Sequence, residues 1–259
     1  MVILADGLCR SRLLRDELPY RILLPDAGGK KSRRCPVLYL LHGLFGDFTN
    51  WTELTGLAAY AGDHRLAIVM PEARDGWYVD SAVIEHNRFE SYFISELIPE
   101  VEALYQVGNT RQGRAIAGLS MGGYGALKFA VKNPKLFAFA GSISGALCAP
   151  RQSDERPGFD WEALKPSILR AFGAERNPVR RDNDLFELFP SAAGSGVLPS
   201  LYFDCGDQDG FLPVNNELHR LLLDNNVPHE YFVGAGDHNW SYWDQRIKEI
   251  LPKVSQALA

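Results

Sequence analysis

One stretch, residues 114–131 (RAIAGLSMGGYGALKFAV), restricts the possible folds more than any other. An apolar run meets an Ala-rich helical run with only Gly118-Leu119-Ser120-Met121-Gly122 to join them. A strand hands over to a helix in so few residues only through a sharp, strained turn. Side chains two positions either side of the serine would collide there, so both positions take glycine. The serine hydroxyl then projects above the strand end, beside the N–H groups that open the helix and favour negative charge. Gly123 and Gly125 extend a small-residue surface that lets the helix pack closely. The string therefore demands a buried strand followed by a helix on one face of a sheet. In that context Ser120 is a candidate nucleophile rather than a residue of a structural glycine turn.

The remaining apolar runs agree with this start. Residues 20–24, 37–41, 66–70, 114–119, 137–143, 201–203 and 230–233 are short, continuous and bounded by turn residues. That pattern predicts strands buried on both faces of a mainly parallel sheet. Between them lie helical patterns. In NRFESYFISELIPEVEALY the residues Phe93, Ile94, Leu97, Ile98, Val101 and Leu104 form one apolar stripe, with Pro99 expected to kink it. Residues 124–131, 216–223 and 242–251 are shorter helix candidates. Alternation of this kind predicts a doubly wound α/β sheet, and 259 residues suit one domain spanning 1–259. The stretch from about 149 to 195 breaks the rhythm and has no strand signal. It reads as a helical, lid-like insertion after the strand that follows the serine's helix, anchored by Phe159, Trp161, Phe172, Phe186 and Phe189. Its Arg151, Arg156, Arg170, Arg176, Arg180 and Arg181 alternate with Asp154, Glu155, Glu175, Asp182, Asp184 and Glu187, the pattern of a solvated mixed-charge surface rather than an anion site.

A serine hydroxyl is a weak nucleophile and needs a base within hydrogen-bond reach, itself oriented by a carboxylate. When the serine sits on a strand-to-helix elbow, both partners follow it in the chain, the acid before the histidine. His219 lies within a helical pattern, facing solvent or the sheet, and His229 precedes the last strand in an edge position. His238, in the Gly-rich loop VGAGDHNW after that strand, is the expected base. For the carboxylate, LYFDCGDQDGFLP offers Asp204, still within a strand and expected to be structural, then Asp207 and Asp209 in the loop beyond. Spacing does not separate the last two. Asp237, beside the histidine, is expected to hold the loop by hydrogen bonds. An oxyanion needs two N–H donors: the residue after the nucleophile, Met121, and one from the loop opened by His42-Gly43-Leu44-Phe45-Gly46, where Leu44 is the candidate. His42 is expected to be a structural loop histidine.

Composition narrows the functional classes. Hydrophobic residues make up 46% and charged residues 23%, and the formal net charge is −5, which disfavours a nucleic-acid partner. Cys9, Cys35, Cys148 and Cys205 are scattered without a C-x-x-C pair, as expected of free, mostly buried thiols. No H-x-x-x-H or H-E-x-x-H pair occurs, so neither a metal nor another cofactor is expected. No run approaches the roughly 18 apolar residues of a membrane span. The apolar start is broken at once by Asp6, so no signal peptide is expected and the location is read as cytoplasmic.

These residues resemble the esterase D family of α/β-hydrolase-fold esterases, whose members include S-formylglutathione hydrolases, feruloyl, acetyl-xylan and tributyrin esterases, and mycolyltransferases. The matching pieces are YRILLP, LYLLHGLFGDFTNW, PEARDGWYVDS, AGLSMGGYGAL, DCGDQDGFL and GAGDHNWSYW, in family order over residues 15–255. The resemblance implies Ser120 as nucleophile and His238 as base. It places the carboxylate on Asp209, three residues after Gly206, and it implies Leu44 and Met121 as oxyanion donors. Trp51, Trp77 and Tyr78 match aromatic positions near the family's pocket, with core packing as the plainer alternative. The implied activity is a serine carboxylesterase acting on short-chain acyl or aryl esters. The alternatives are a thioester (S-formylglutathione) hydrolase or an acyltransferase. Leu119 stands where S-formylglutathione hydrolases usually carry histidine.

Overall fold

Eight strands form one sheet in the computed structural model, which describes residues 2–26, 34–151, 161–174 and 176–259, and of Trp161 only the backbone. They are β1 (Val2–Ser11), β2 (Asp16–Pro25), β3 (Val37–Leu41), β4 (Ala67–Pro71), β5 (Arg114–Leu119), β6 (Phe139–Ile143), β7 (Ser200–Gly206) and β8 (Glu230–Gly234). Their order across the sheet is β1-β2-β4-β3-β5-β6-β7-β8. From β4 to β8 every pairing is parallel, while β1–β2 and β2–β4 are antiparallel. All seven expected strands are present. The eighth, β1, escapes the apolar-run criterion because it is an edge strand. Its Leu4, Asp6, Leu8 and Arg10 are exposed, and only Cys9 and Ser11 are buried.

The continuous apolar runs have the cause expected of them. Along β3, Val37, Tyr39 and Leu41 face one core while Leu38 and Leu40 face the other, all fully buried. The first core is closed by helices Met121–Lys132 and Leu212–Asp224 and by the helical stretch from Phe89 to Tyr105. The second is closed by Leu57–Ala61 and Trp240–Ala257. Phe93 stacks on Phe129 at 4.5 Å between ring centroids. Cutting Phe129 back to alanine would cost about 3–5 kcal/mol. The expected kink at Pro99 takes a specific form. The helical path continues, but Phe93–Leu97 widens into a π-helical segment just before it. That widening takes the chain past a ring that has no N–H to give and would crowd the carbonyl a turn earlier.

Between β6 and β7 the described chain is helical: Trp161–Phe172, Pro178–Arg181 and Leu185–Ala192. Asn177 and Asp184 cap the second and third by accepting the Arg180 and Phe186 N–H groups. Phe172 and Phe189 are fully buried, and Phe172 packs against Trp77 and Tyr124. Arg151, Arg170 and Arg176 pair with Asp184, Asp75 and Glu187, in line with a mixed-charge surface. Arg180 departs from it: it is 5% exposed and donates to the carbonyls of Gly173 and Pro150. Asp154, Glu155, Arg156, Phe159, Glu175 and the Trp161 side chain lie outside what is described. Among the described residues no disulfide is formed. Among the described residues no helix is long and apolar enough to cross a membrane.

Candidate active site

The turn after β5 has the geometry its glycines demand. Ser120 sits at φ 52° and ψ −116°, a strained backbone for a residue with a side chain. A Cβ on Gly118 would meet the Gly122 backbone at 2.6 Å, and one on Gly122 would meet the Leu41 carbonyl oxygen at 2.5 Å. The turn is pinned from outside by Ser120 N–H donating to Ile143 O and Ala146 N–H donating to Ser120 O. Its hydroxyl is thereby held at the C-terminal edge of the sheet, where the loops after β3, β7 and β8 converge.

Three side chains from distant parts of the sequence meet there. His238 Nε2 is 3.1 Å from Ser120 Oγ, and His238 Nδ1 is 2.9 Å from Asp209 Oδ2. Phe211 N–H donates to Asp209 Oδ1 at 2.8 Å and fixes the carboxylate plane. A carboxylate only accepts, so Nδ1 carries the proton and Nε2 is left to accept from the serine. Burial pushes the Asp209 carboxyl up. The hydrogen bonds from His238 and the Phe211 N–H outweigh burial and leave it below its ordinary value. Phe211 and Trp243 flank the imidazole at 5.0 and 4.9 Å between ring centroids. The set can move a proton from Ser120 to His238 while holding the resulting positive charge against Asp209.

Geometry separates the two loop aspartates. Asp207 turns away and accepts the Gly236 N–H at 3.0 Å, while Asp209 faces the histidine. Asp204 is fully buried in β7, accepting from Tyr242 OH and Arg246 Nε, and Asp237 accepts the His238 N–H. His219 and His229 pair with each other at 2.7 Å, and neither lines the cleft that holds the serine. Neither the Met121 N–H, first in its helix, nor the Leu44 N–H has a hydrogen-bond acceptor among the described residues. Both residues border the serine's surroundings: Leu44 lines the cleft and Met121 follows Ser120 directly.

The cleft above Ser120 has a volume of about 550 Å³. Its walls are largely apolar: Leu44, Phe45, Leu119, Phe211, Trp240 and Trp243, with Ala163 and Leu164 from helix Trp161–Phe172. Trp51, Trp77 and Tyr78, expected near a pocket, do not line it. All three are at most 1% exposed and belong to the core, where Trp51 Nε1 donates to Leu41 O, Trp77 Nε1 to Ser167 Oγ and Tyr78 OH to His42 O. The plainer packing alternative is therefore the correct one, because each indole or phenol spends its polar atom on a buried partner. The wall residues that sequence reasoning missed include Trp240 and Trp243. They lie two and five residues after His238, so a helix begun at that loop would have brought them to the cleft. Ala163 and Leu164 carry no such local signal. Among the described residues no group of three or more His, Cys, Asp or Glu side chains is arranged to hold a metal ion.

Known proteins share this arrangement of the chain. Residues 11–254 match the family model described as "Putative esterase". An acetyl esterase of Caldicellulosiruptor saccharolyticus is 27% identical over 260 residues, covering 95% of this chain and 96% of that protein. Esterase Rv1288 of Mycobacterium tuberculosis is 32% identical over 237 residues, 84% of this chain, which spans only 51% of that longer relative. Among solved structures, FphF of Staphylococcus aureus, a fluorophosphonate-binding serine hydrolase in a substrate-bound form, superposes with a TM-score of 0.87. It is 26% identical over 98% of each chain. With its mostly parallel sheet and helices on both faces, the chain belongs to this esterase family and is a serine hydrolase of the α/β-hydrolase fold.

Proposed function

We propose that the protein is a serine carboxylesterase acting on small esters with a short acyl or aryl acid part. The observation that carries this reading is the unbroken hydrogen-bond line from Asp209 through His238 to Ser120 at the floor of an apolar cleft. Ser120 Oγ attacks the ester carbonyl as His238 Nε2 takes its proton. Asp209 holds the imidazole in the required tautomer and stabilises its charge. The carbonyl oxygen becomes an oxyanion, bound by the N–H groups of Met121 and Leu44. His238 then gives its proton to the leaving alcohol, an acyl-enzyme remains, and a water activated by the same imidazole releases the acid.

Hydrolysis is favoured over transfer because the His238 side chain is 30% exposed, which leaves water a path to the acyl-enzyme. The apolar walls suit an uncharged acid part. Helix Trp161–Phe172, reaching the cleft through Ala163 and Leu164, gives the segment of about 149–195 a lid-like role within a single domain. Replacement of Ser120 by alanine is expected to abolish turnover of p-nitrophenyl acetate and butyrate with an unchanged melting curve. Full turnover by that variant would refute the assignment. A panel of p-nitrophenyl esters of rising chain length, with methyl ferulate and S-formylglutathione, sets the acyl preference.

A further inference from the structure

We propose that His42 is a positioning residue that aims the Leu44 amide into the cleft, and that its two ring nitrogens have separable jobs. The inference rests on the reading above, in which that amide binds the oxyanion. His42 is 1% exposed and sits where β3 gives way to the loop. Its Nδ1 lies 2.7 Å from Gly43 O, and its Nε2 lies 3.0 Å from the Ala73 backbone nitrogen. Gly43 O can only accept and Ala73 N–H can only donate. The two partners together dictate the neutral ring with its proton on Nδ1. Glu72 Oε1 stands further from Nε2, at 3.5 Å.

The consequence follows from peptide planarity. Gly43 C=O and Leu44 N–H belong to one rigid amide unit and point in opposite directions. Holding the carbonyl toward His42 Nδ1–H fixes where the Leu44 N–H points. The preceding peptide is held likewise, because Tyr78 OH donates to His42 O at 3.0 Å. Gly46 N–H adds a second donor to Gly43 O at 3.2 Å. Without such ties a loop of this glycine content would rotate its peptides freely, and a donor pointing only part of the time stabilises an oxyanion only part of the time. Nδ1 serves direction. Nε2 serves the fold, by satisfying an otherwise buried N–H.

Two side-chain amides divide these jobs. Asn at position 42 places an N–H near the Nδ1 position but cannot reach Ala73, whereas Gln places an acceptor near the Nε2 position and nothing at Nδ1. His42→Asn should melt at lower temperature yet keep kcat within about threefold on p-nitrophenyl butyrate. His42→Gln should melt near the parent but lose about ten- to a hundredfold in kcat with KM little changed, a fraction of the effect of deleting an oxyanion donor. If kcat instead tracks melting temperature across both variants, His42 is merely structural and the proposal fails. Leu44→Pro, checked for folding by its melting curve, removes the N–H itself. Full activity in that variant would overturn the oxyanion reading regardless of His42, whereas a large loss beside equal Asn and Gln variants would overturn the positioning role alone.

Discussion

Two aspartates five residues apart, Asp204 within β7 and Asp209 in the loop beyond it, are both buried, yet their surroundings act on them in opposite directions. Asp204 has a guanidinium and a phenol as partners, but burial dominates and pushes its carboxyl up from 3.8 to about 6. Asp209 has an imidazole and a backbone N–H, and these overcome burial to hold it below 3.8. A cation nearby does not by itself keep a buried carboxyl ionised; at Asp204 burial outweighs a guanidinium and its hydrogen bonds, and at Asp209 it does not outweigh the partners. Asp204 ties the C-terminal helix to the sheet through Tyr242 and Arg246. Asp209 spends its charge on the histidine that faces Ser120.

The comparison breaks most visibly in catalysis. Asp209→Asn should lower kcat on p-nitrophenyl butyrate by about 10³–10⁴-fold while the protein stays folded, because the wrong histidine tautomer is then favoured. Steady-state kinetics beside a melting curve checks it. Asp204→Ala should do the reverse. It strands the buried Tyr242 hydroxyl and Arg246, costs about 2–4 kcal/mol in urea unfolding, and leaves kcat of the folded enzyme within about twofold.

A finer effect lies in the pH dependence of stability. The Asp204 carboxyl is raised, so its contribution is complete below 3.8 and is lost as pH rises through about 6. The loss is about 2–3 kcal/mol, from roughly two units at about 1.4 kcal/mol each. Asp209 is depressed, so its contribution is complete above 3.8 and is lost only as pH falls through its lowered value. Urea titrations of Asp204→Asn between pH 4 and 6 should have a flatter fall in stability than the parent. In Asp209→Asn the fall over that range should persist, and the steep loss at lower pH should shrink. Smallest of all, Asp207→Asn, which only loosens the tie to Gly236, should change kcat less than about threefold.

Ser120 was legible because strand, glycines and helix all lie within eighteen residues of it, and His238 because its loop follows the last strand. Asp207 and Asp209 were not separable from residue spacing. Both are in one short loop, and which side chain turns inward depends on the Gly236 and Phe211 N–H groups that each captures. Strand β1 stayed hidden since edge pairing needs only one covered face. The aromatic trio of Trp51, Trp77 and Tyr78 misled because size and polarity together suit a pocket wall and a hydrogen-bonded core equally well. Leu164 reaches the cleft from 44 positions beyond Ser120, a placement fixed by how the insertion packs rather than by any local pattern.

The central claim is covalent and can be seen directly by mass. Quenching the enzyme in acid within milliseconds of mixing with excess p-nitrophenyl butyrate should yield a fraction heavier by one butyryl group, mapped by fragmentation to the peptide carrying Ser120 and absent from Ser120→Ala. A butyryl group found on another residue, or rapid turnover with no acylated protein even in Asp209→Asn, would contradict the account.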